Sequence, residues 1–347
     1  MLPFHIIDSR TVETVISSSR TQVVDWVKEA YLLHAGGASV NPDSHFLNFP
    51  QKPDARIIAL PAFLGGDYEA AGIKWVSSFP SNIARNTPRA SAALILNDYE
   101  TGYPFAFLEA SHISAARTAA SAVLGAEELT GSRSVGTIAL IGAGVIARTI
   151  VDFFESRVWS VDKFLVHDRE SQYMESLAHY INSSTPYRSD TRISTGSAIS
   201  GSDVVVLTTT ATTPYITQPG AFSNGQVVLN ISLRDIGPDI VAASHNILDD
   251  VDHCLKANTS PHLTEQLLGH REFIDGSLPE LMTRKIQVSD DKPKIFSPFG
   301  LGVLDIAVGL NVNRAAIERA LSTEIPDFFG NMTRWPRPAG GRMEGWA

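Results

Sequence analysis

The spacing of hydrophobic residues divides the chain into two parts that meet near residue 130. In the first part, apolar residues recur at helical spacing over residues 23–33, and the alanine-rich residues 111–129 predict a longer helix. A polar turn joins the last two of the predicted strands into a hairpin. These strands are residues 4–7, 56–61, 72–76, 91–97 and 103–108. The first part is therefore predicted to mix strands and helices.

After residue 130 the pattern becomes a regular alternation of apolar strands and amphipathic helices. Continuous apolar strands that alternate with helices predict a parallel sheet covered on both faces, and hence an α/β fold. The strands are predicted at residues 137–141, 163–166, 203–207, 226–231 and 246–248, and the helices at 145–155, 170–180 and 302–321. The end of the chain, which contains several prolines and glycines, is predicted to be a loose tail.

Composition narrows the class of protein. The 347 residues are 44% hydrophobic and 19% charged, which is typical of a soluble enzyme. A net charge of −9 argues against binding to nucleic acid or to an anionic membrane, because both need a basic face. The one cysteine, Cys254, cannot form an internal disulfide, and no leader or membrane-spanning run is recognisable. A cytoplasmic location is therefore expected.

A glycine turn follows the first strand of the second part. Residues 142–147 read GAGVIA, a pattern that binds the pyrophosphate of a dinucleotide when it joins a strand to a helix. Gly142 permits the tight turn, and Gly144 lets the backbone approach the phosphates. Val145 and Ile146 open the helix, whose free N–H groups suit an anion.

The second strand ends on an acidic residue at the distance this motif requires. Asp168 follows the turn by about 20 residues and can accept hydrogen bonds from the adenosine ribose. A carboxylate there repels a 2′-phosphate, so the sequence favours NAD over NADP, although the adjacent Arg169 leaves NADP open. One of the threonines at positions 208–210 is expected to contact the adenosine or its ribose, with Thr208 and Thr210 as the candidates.

Several segments of the chain resemble the ornithine cyclodeaminase/μ-crystallin family. The matching segments are RIIALP (56–61), GIKW (72–75), LND (96–98), TGYP (101–104), RTAA (117–120), NISLRD (230–235) and GLG (300–302). The resemblance spans about residues 4–320. It implies a Rossmann domain, residues 131–310, inserted into an α+β substrate-binding and dimerisation domain. That domain comprises residues 1–130 and 311–335, and residues 336–347 form the tail. A homodimer is expected from the same resemblance.

Within the family, the chain is most similar to the siderophore-pathway dehydrogenases that make L-2,3-diaminopropionate. The similarity lies in residues 72–75 (GIKW), 89–91 (RAS), which begin with Arg89, 230–232 (NIS) with Asp235, and 297–300 (SPFG). It implies NAD-dependent oxidation of N-(1-amino-1-carboxy-2-ethyl)glutamate, followed by hydrolysis to diaminopropionate and 2-oxoglutarate. Ornithine cyclodeaminases usually carry small residues at positions 232–234 and threonine at position 89.

Other functions of the family stay open as alternatives. They are ornithine cyclodeamination, alanine dehydrogenation, reduction of a cyclic ketimine, and a crystallin-like role in which the cofactor is bound without catalysis.

Three arginines are candidates for binding the carboxylates of an amino-acid substrate, because a guanidinium binds a carboxylate with two hydrogen bonds. Arg56 opens an apolar strand, where it is either such a clamp or a surface charge at a strand end. Arg117 lies on the alanine-rich helix, and the resemblance places it in the active site. Arg89 is the candidate for a third carboxylate.

Lys74 and Asp235 are the candidate catalytic residues. Lys74 stands in an apolar strand, where burial would lower its pKa toward that of a useful base, unless it lies on an exposed face. Asp235 follows a strand and either faces the ligand crevice or caps the helix that begins near Pro238. The resemblance implies that Asp235 handles the proton of the substrate nitrogen.

The resemblance also places Ser232 and the turn of Phe299 and Gly300 near the nicotinamide. No metal is expected. Residues 249–254 (DDVDHC) cannot converge on a metal, because adjacent positions on a strand alternate between faces, and they are predicted to form a solvated or turn-forming acidic loop.

Overall fold

The structure, a computed structural model, describes residues 3–330. Two eight-stranded sheets organise this part of the chain. The strands of the first sheet are β1 (Phe4–Ile7), β2 (Ser39–Val40), β3 (His45–Phe49), β4 (Lys52–Leu64), β5 (Ala70–Ser78), β6 (Ala90–Asp98), β7 (Pro104–Glu109) and β16 (Thr323–Ile325). Their order is β16-β1-β7-β6-β5-β4-β2, with β3 paired to β4. A 3₁₀ helix, Pro80–Arg85, links β5 and β6.

The first sheet is covered by helices on one face. They are α1 (Ser9–Ser18), α2 (Arg20–Ala35), α3 (Ser111–Thr130) and α11 (Gly302–Glu318). Asp8 caps α1 through a hydrogen bond from Thr11 N to its carboxylate. The predicted hairpin is present, because β6 and β7 pair in an antiparallel register.

The second sheet is entirely parallel. Its strands are β8 (Ser134–Ile141), β9 (Ser160–His167), β10 (Ser189–Thr191), β11 (Val204–Leu207), β12 (Val227–Asn230), β13 (His245–Leu248), β14 (Gly276–Ser277) and β15 (Lys294–Ser297). The strand order is β10-β9-β8-β11-β12-β15-β13-β14. From β8 the chain adds β9 and β10 on one side and then returns to add β11 and the later strands on the other side, so the switch point lies between β8 and β11. Ligands of doubly wound sheets bind at this switch point, beyond the carboxyl ends of the strands. The predicted Rossmann-type α/β fold is confirmed.

Seven helices accompany the second sheet within residues 3–330. They are α4 (Val145–Ser156), α5 (Ser171–Ser184), α6 (Thr195–Ile199), α7 (Pro238–Ala242), α8 (Val251–Cys254), α9 (Ser260–Leu268) and α10 (Leu278–Met282). In the described part of the chain, no helix combines the length and the hydropathy needed to cross a bilayer.

Strand β15 lies between β12 and β13 and was missed by the hydrophobic pattern. The strand does not read as apolar because its first residue is the charged Lys294. In the structure this lysine is buried and only 6% exposed. The buried ammonium donates to Leu129 O at 2.8 Å and to Asp290 Oδ1 at 2.6 Å. These bonds satisfy a charge that would otherwise be costly inside the protein.

Helix α11 follows the second sheet in sequence but packs on the first. It contacts α2, β4 and β5, and every residue from 302 to 310 is buried. The domain boundary that the sequence placed at residue 310 falls inside this helix, so the boundary moves to its start. The predicted tail, residues 336–347, lies outside the described residues.

Candidate active site

Lys74 lies on the inner face of the first sheet, opposite Leu60 and Leu94 on the neighbouring strands. It is 1% exposed, which excludes the alternative of a lysine on an exposed strand face. Its ammonium donates to Asp305 Oδ2 at 2.6 Å and to Ser114 Oγ at 3.3 Å. The β5 strand thus delivers a buried ammonium to the contact between the sheet and two helices.

Arg117, on α3, meets the same carboxylate. Its Nε lies 3.4 Å from Asp305 Oδ1, so one carboxylate faces two cations. The backbone of Gly300 presses on this guanidinium: a Cβ at that position would lie 2.3 Å from Arg117 Nη1. Gly300 has a φ of +94°, and this backbone conformation favours glycine there.

A buried aspartate holds the turn that carries Gly300. Asp249 accepts hydrogen bonds from Phe299 N at 2.9 Å and from Gly300 N at 2.7 Å. It is 2% exposed, so the prediction of a solvated acidic loop is wrong at this residue. The ring of Phe299 meets His253 edge-on, with 5.6 Å between ring centroids. Within residues 3–330, no group of three or more acidic, histidine or cysteine side chains is arranged to hold a metal.

Asp235 lies just beyond β12 and is completely buried. Thr209 Oγ1 donates to its carboxylate. The alternative of a helix cap is excluded, because Gly237 occupies the N-cap position of α7. The carboxyl group of Asp235 therefore lies beyond the carboxyl ends of β11 and β12, where Thr209 contacts it.

Burial brings the pKa values of the two candidate catalytic groups toward neutrality from opposite sides. It raises the pKa of Asp235 to about 6, against the opposing effect of hydrogen bonds from Thr209 and Tyr215. Burial lowers the pKa of Lys74 to about 8; Arg117 acts in the same direction, and Asp305 opposes both. Between these values the carboxylate is ionised and the ammonium protonated, an arrangement suited to acid–base chemistry.

Three arginines, Arg56, Arg89 and Arg234, form a group at the end of the site that contains Arg56. Arg56 lies on the same inner face of the sheet as Lys74. Leu60 is the β4 residue opposite Lys74, and Arg56 lies about 13 Å from Leu60 along the strand. Its Nε is buried and has no hydrogen-bond partner among residues 3–330. The pKa values of Arg89 and Arg234 are both lowered, by burial first and by the charge of Arg56 second. Arg89 nevertheless keeps contact with solvent.

Arg234 takes its position from a strained turn. The preceding Leu233 has a φ of +76°, a conformation that branched residues rarely adopt. Arg234 donates from Nε and Nη2 to Ala257 O at 3.1 and 2.6 Å, which fixes its side chain. None of the three arginines forms an ion pair with an acid in the described part of the chain, so the group keeps its positive charge.

The glycine turn has the geometry of a dinucleotide cradle. Gly142 has a φ of +95°, and a Cβ there would lie 2.7 Å from Thr208 O. Thr208 Oγ1 donates to Gly142 O at 3.0 Å. Gly144 is the N-cap of α4 and provides no side-chain cap, so the first N–H groups of the helix stay available for an anion. Val145 is 73% exposed and Ile146 is half-buried at this helix start.

Asp168 is tied to the turn that it serves. Its Oδ2 accepts from Ala143 N at 2.7 Å and its Oδ1 from Glu170 N at 2.9 Å. The adjacent Arg169 is exposed. A half-buried carboxylate beside the glycine turn fits the ribose hydroxyls of a bound dinucleotide.

The three threonines at the end of β11 have separate surroundings. Thr208 bonds to the glycine turn, Thr209 bonds to Asp235, and Thr210 is exposed. Nearby, Ser232 Oγ is buried without a hydrogen-bond partner among residues 3–330. An unpaired buried hydroxyl in the crevice is what a bound nicotinamide would satisfy.

Sequence reasoning missed three residues of this site: Asp305, Asp249 and Arg234. One of them carried a readable signal. Asp305 is the only charged residue in the apolar stretch GVLDIAVGL, and a lone acid in a buried helix requires a cationic partner. The others are brought into the site by loops whose course the hydrophobic pattern does not encode.

The fold and the site define a class of protein. A Rossmann crevice, a glycine turn with its ribose carboxylate, and a buried lysine and aspartate characterise a dinucleotide-dependent oxidoreductase. Residues 6–320 match the model of the ornithine cyclodeaminase/mu-crystallin family. The chain belongs to that family, as its sequence segments predicted.

Individual relatives agree with this class. The N-((2S)-2-amino-2-carboxyethyl)-L-glutamate dehydrogenase of Staphylococcus aureus is 30% identical, covering 87% of this chain and 92% of the relative. The Thermococcus litoralis delta(1)-pyrroline-2-carboxylate reductase, solved with NADH and L-proline, has a TM-score of 0.85 at 23% identity, covering 93% of this chain and 100% of the other. An archaeal alanine dehydrogenase dimer with bound NAD has a TM-score of 0.83 at 23% identity, covering 94% and 100%. The predicted oxidoreductase class is confirmed.

The two perturbed groups predict a bell-shaped dependence of kcat/KM on pH. Activity is expected to rise as Asp235 loses its proton near pH 6 and to fall as Lys74 loses its proton near pH 8. Initial rates measured from about pH 4 to about pH 10, roughly two pH units beyond each limb, test this expectation. In Asp235→Asn the residual activity should lose the acid limb, and an acid limb that persists would contradict the assignment.

Proposed function

We propose that this protein is an NAD-dependent dehydrogenase of N-(1-amino-1-carboxy-2-ethyl)glutamate, which it converts to L-2,3-diaminopropionate and 2-oxoglutarate. The observation that carries this proposal is the group of Arg56, Arg89 and Arg234, none of which forms an ion pair with an acid among residues 3–330; Arg56 shares its sheet face with the buried Lys74. The name of the Staphylococcus aureus relative, which is a dehydrogenase of such an adduct, supports the same substrate.

The charge of the cleft discriminates between candidate substrates. The glutamate adduct carries three carboxylates, and Arg56, Arg89, Arg234 and Arg117 offer a cation for each of them. Ornithine carries an ammonium at its far end, which these guanidinium groups would repel. Alanine and the cyclic imino acids have one carboxylate, so most of the arginines would have no role in their reactions.

The cofactor is NAD. The N–H groups at the start of α4 would hold its pyrophosphate and Asp168 its adenosine ribose, and Ser232 and Gly300 are the residues that would meet its nicotinamide. When bound, NAD supplies the acceptor for the hydride of the substrate's Cα–H bond.

The chain's own residues manage protons and orientation. The Asp235 carboxylate takes the proton from the secondary amine, so that a C=N bond forms as the Cα–H bond breaks. Lys74 and Arg117 hold the substrate carboxylate next to the reacting carbon and thereby orient the Cα–H bond. Asp235 returns the amine proton to the C=N nitrogen, and its carboxylate then takes a proton from a water molecule that attacks the C=N carbon. It passes that proton to the nitrogen, takes up the proton of the new hydroxyl group as the carbinolamine collapses, and releases it to solvent. The C–N bond breaks, the ketone oxygen comes from water, and the nitrogen leaves as the primary amine of diaminopropionate.

Substrate oxidation distinguishes this reaction from its alternatives. With NAD and the glutamate adduct, absorbance at 340 nm should rise, and mass spectrometry should detect diaminopropionate and 2-oxoglutarate in equal amounts. Ornithine cyclodeamination recycles the cofactor and gives no net NADH. Turnover of ornithine to proline, without any reaction of the adduct, would contradict the proposal.

Arg234→Met tests the group of arginines within the same assay. Loss of a charge-assisted contact should raise the KM for the adduct about tenfold or more. Arg133→Met is the matched control, because Arg133 is a half-exposed arginine paired with Glu127 away from the site. An equal KM in the two variants would remove Arg234 from substrate binding.

Asp168→Ser should change the choice of cofactor. The variant loses the acceptor for the ribose hydroxyls and the repulsion of a 2′-phosphate, so NAD should bind more weakly and NADP should become usable. Fluorescence titration with NADH and NADPH measures both affinities. Tighter binding of NADP than of NAD by the unchanged protein would contradict this role of Asp168.

We further propose that the protein is a homodimer formed through the outer face of the first sheet. The pairing register aligns an apolar row across five strands: Pro61, Ile73, Ile95, Phe107 and Ile6. Ile6 is 38% and Phe107 is 40% exposed. A contiguous apolar sheet face is unfavourable in water, and a second copy of the same face would cover it.

The dimer is tested by light scattering during size-exclusion chromatography. The unchanged protein should elute with twice the mass of one chain, and Phe107→Glu should shift it toward the monomer, because a buried unpaired carboxylate opposes association. Ile193→Glu is the control, since Ile193 is 96% exposed on the other domain. A monomeric unchanged protein would exclude the proposed interface.

A further inference from the structure

Asp305 is a fully buried carboxylate between two cations that come from different elements. It lies in the first turn of α11, with a side chain that is 1% exposed. Its Oδ2 accepts from Lys74 Nζ at 2.6 Å, and its Oδ1 faces Arg117 Nε at 3.4 Å. Neither Arg117 Nε nor Asp305 Oδ1 has a hydrogen-bond partner among residues 3–330. The contact is therefore an ion pair without a hydrogen bond, and a shorter distance between the two atoms would form one.

Packing alone does not explain why the carboxylate of Asp305 is buried on an apolar helix. A buried apolar helix gains nothing from one carboxylate unless that charge is used, because removing it from water is unfavourable. Two cations and one anion leave a net positive charge. That charge suits one more carboxylate, and an amino-acid substrate carries one next to its reacting carbon.

We propose that Asp305 is a positioning residue, which holds the Lys74 ammonium and the Arg117 guanidinium so that both act on the same substrate carboxylate. The inference rests on the catalytic role proposed for Lys74 but not on the identity of the amine. Three groups face Lys74: Asp305 from α11, and Arg117 and Ser114 from α3. Asp305 is the only anion among them, so it alone keeps Lys74 protonated against burial and against Arg117.

Kinetics of Asp305→Asn and Asp305→Glu test the proposal. In the asparagine variant the alkaline limb of the pH profile should move down by about one pH unit or more, because an opposite charge has been removed from contact distance. The KM for the amino-acid substrate should rise about tenfold or more, with NAD affinity unchanged. Asp305→Glu should restore the position of the limb.

The control variant is Asn313→Ala on the same helix. Asn313 is 3% exposed and lies outside the site, so its loss perturbs helix packing without changing a charge. Its pH profile should match that of the unchanged protein. A limb that moves equally in Asn313→Ala and Asp305→Asn would reduce Asp305 to a packing residue and overturn the proposal.

A second readout needs no substrate. In protein labelled with ¹³C at the lysine ε-carbon, the Lys74 resonance is identified by its loss in Lys74→Met, and its titration midpoint is followed by NMR. The midpoint should fall in Asp305→Asn and stay near the original in Asp305→Glu. An unchanged midpoint in Asp305→Asn would overturn the proposal even if the adduct is the true substrate. A lowered midpoint would support it even if the adduct is not.

Stability supplies the test if Asp305→Asn folds poorly. Two buried cations then lack their counterion, and the double variant Lys74→Met/Asp305→Asn removes one of them. The double variant is expected to unfold at a higher denaturant concentration than Asp305→Asn alone. A double variant less stable than either single variant would show that Asp305 does not act through Lys74.

Discussion

The site depends on one buried ion contact, between the carboxylate of Asp305 and the cationic side chains of Lys74 and Arg117. These residues come from a helix, a strand and a second helix that are far apart in sequence. Because an unpaired charge inside a protein is strongly unfavourable, the packing of the three elements has to keep these charges together. The contact lies where α11, which follows the second sheet in the chain, packs its apolar residues on the first.

The cofactor side obeys a different constraint. The reversal of strand order between β8 and β11 opens a crevice at the carboxyl ends of the strands, where Gly142 and Asp235 lie. The first sheet contributes Lys74 and Arg56 from the other side, whereas Arg234 follows β12 of the second sheet. In the function proposed above, the second domain binds the cofactor and both domains contact the substrate, so members of one family can keep the first role while changing the second.

The sequence predicted those features whose signal is local. The glycine turn, Asp168 and the buried strand around Lys74 are read from neighbouring residues, because a strand and its turn are encoded together. Arg234 could not be placed, since its position depends on the left-handed backbone at Leu233 and on a bond to Ala257 O. Strand β15 was missed because its buried lysine is neutralised by groups distant in sequence or outside the strand. Partners contributed by tertiary packing leave no periodic trace.

Leu233 shows how substrate choice is built into the loop. A left-handed conformation at a branched residue costs about 1 kcal/mol or more, and glycine would relieve it. Cyclodeaminases usually have small residues at this position, whereas this chain accepts the strain. The neighbouring Arg234 shows what the strained loop provides: its guanidinium is fixed next to Arg56, where the two like charges would otherwise separate. The strain and the repulsion both fit the anionic substrate proposed above, because a ligand of opposite charge would relieve the repulsion.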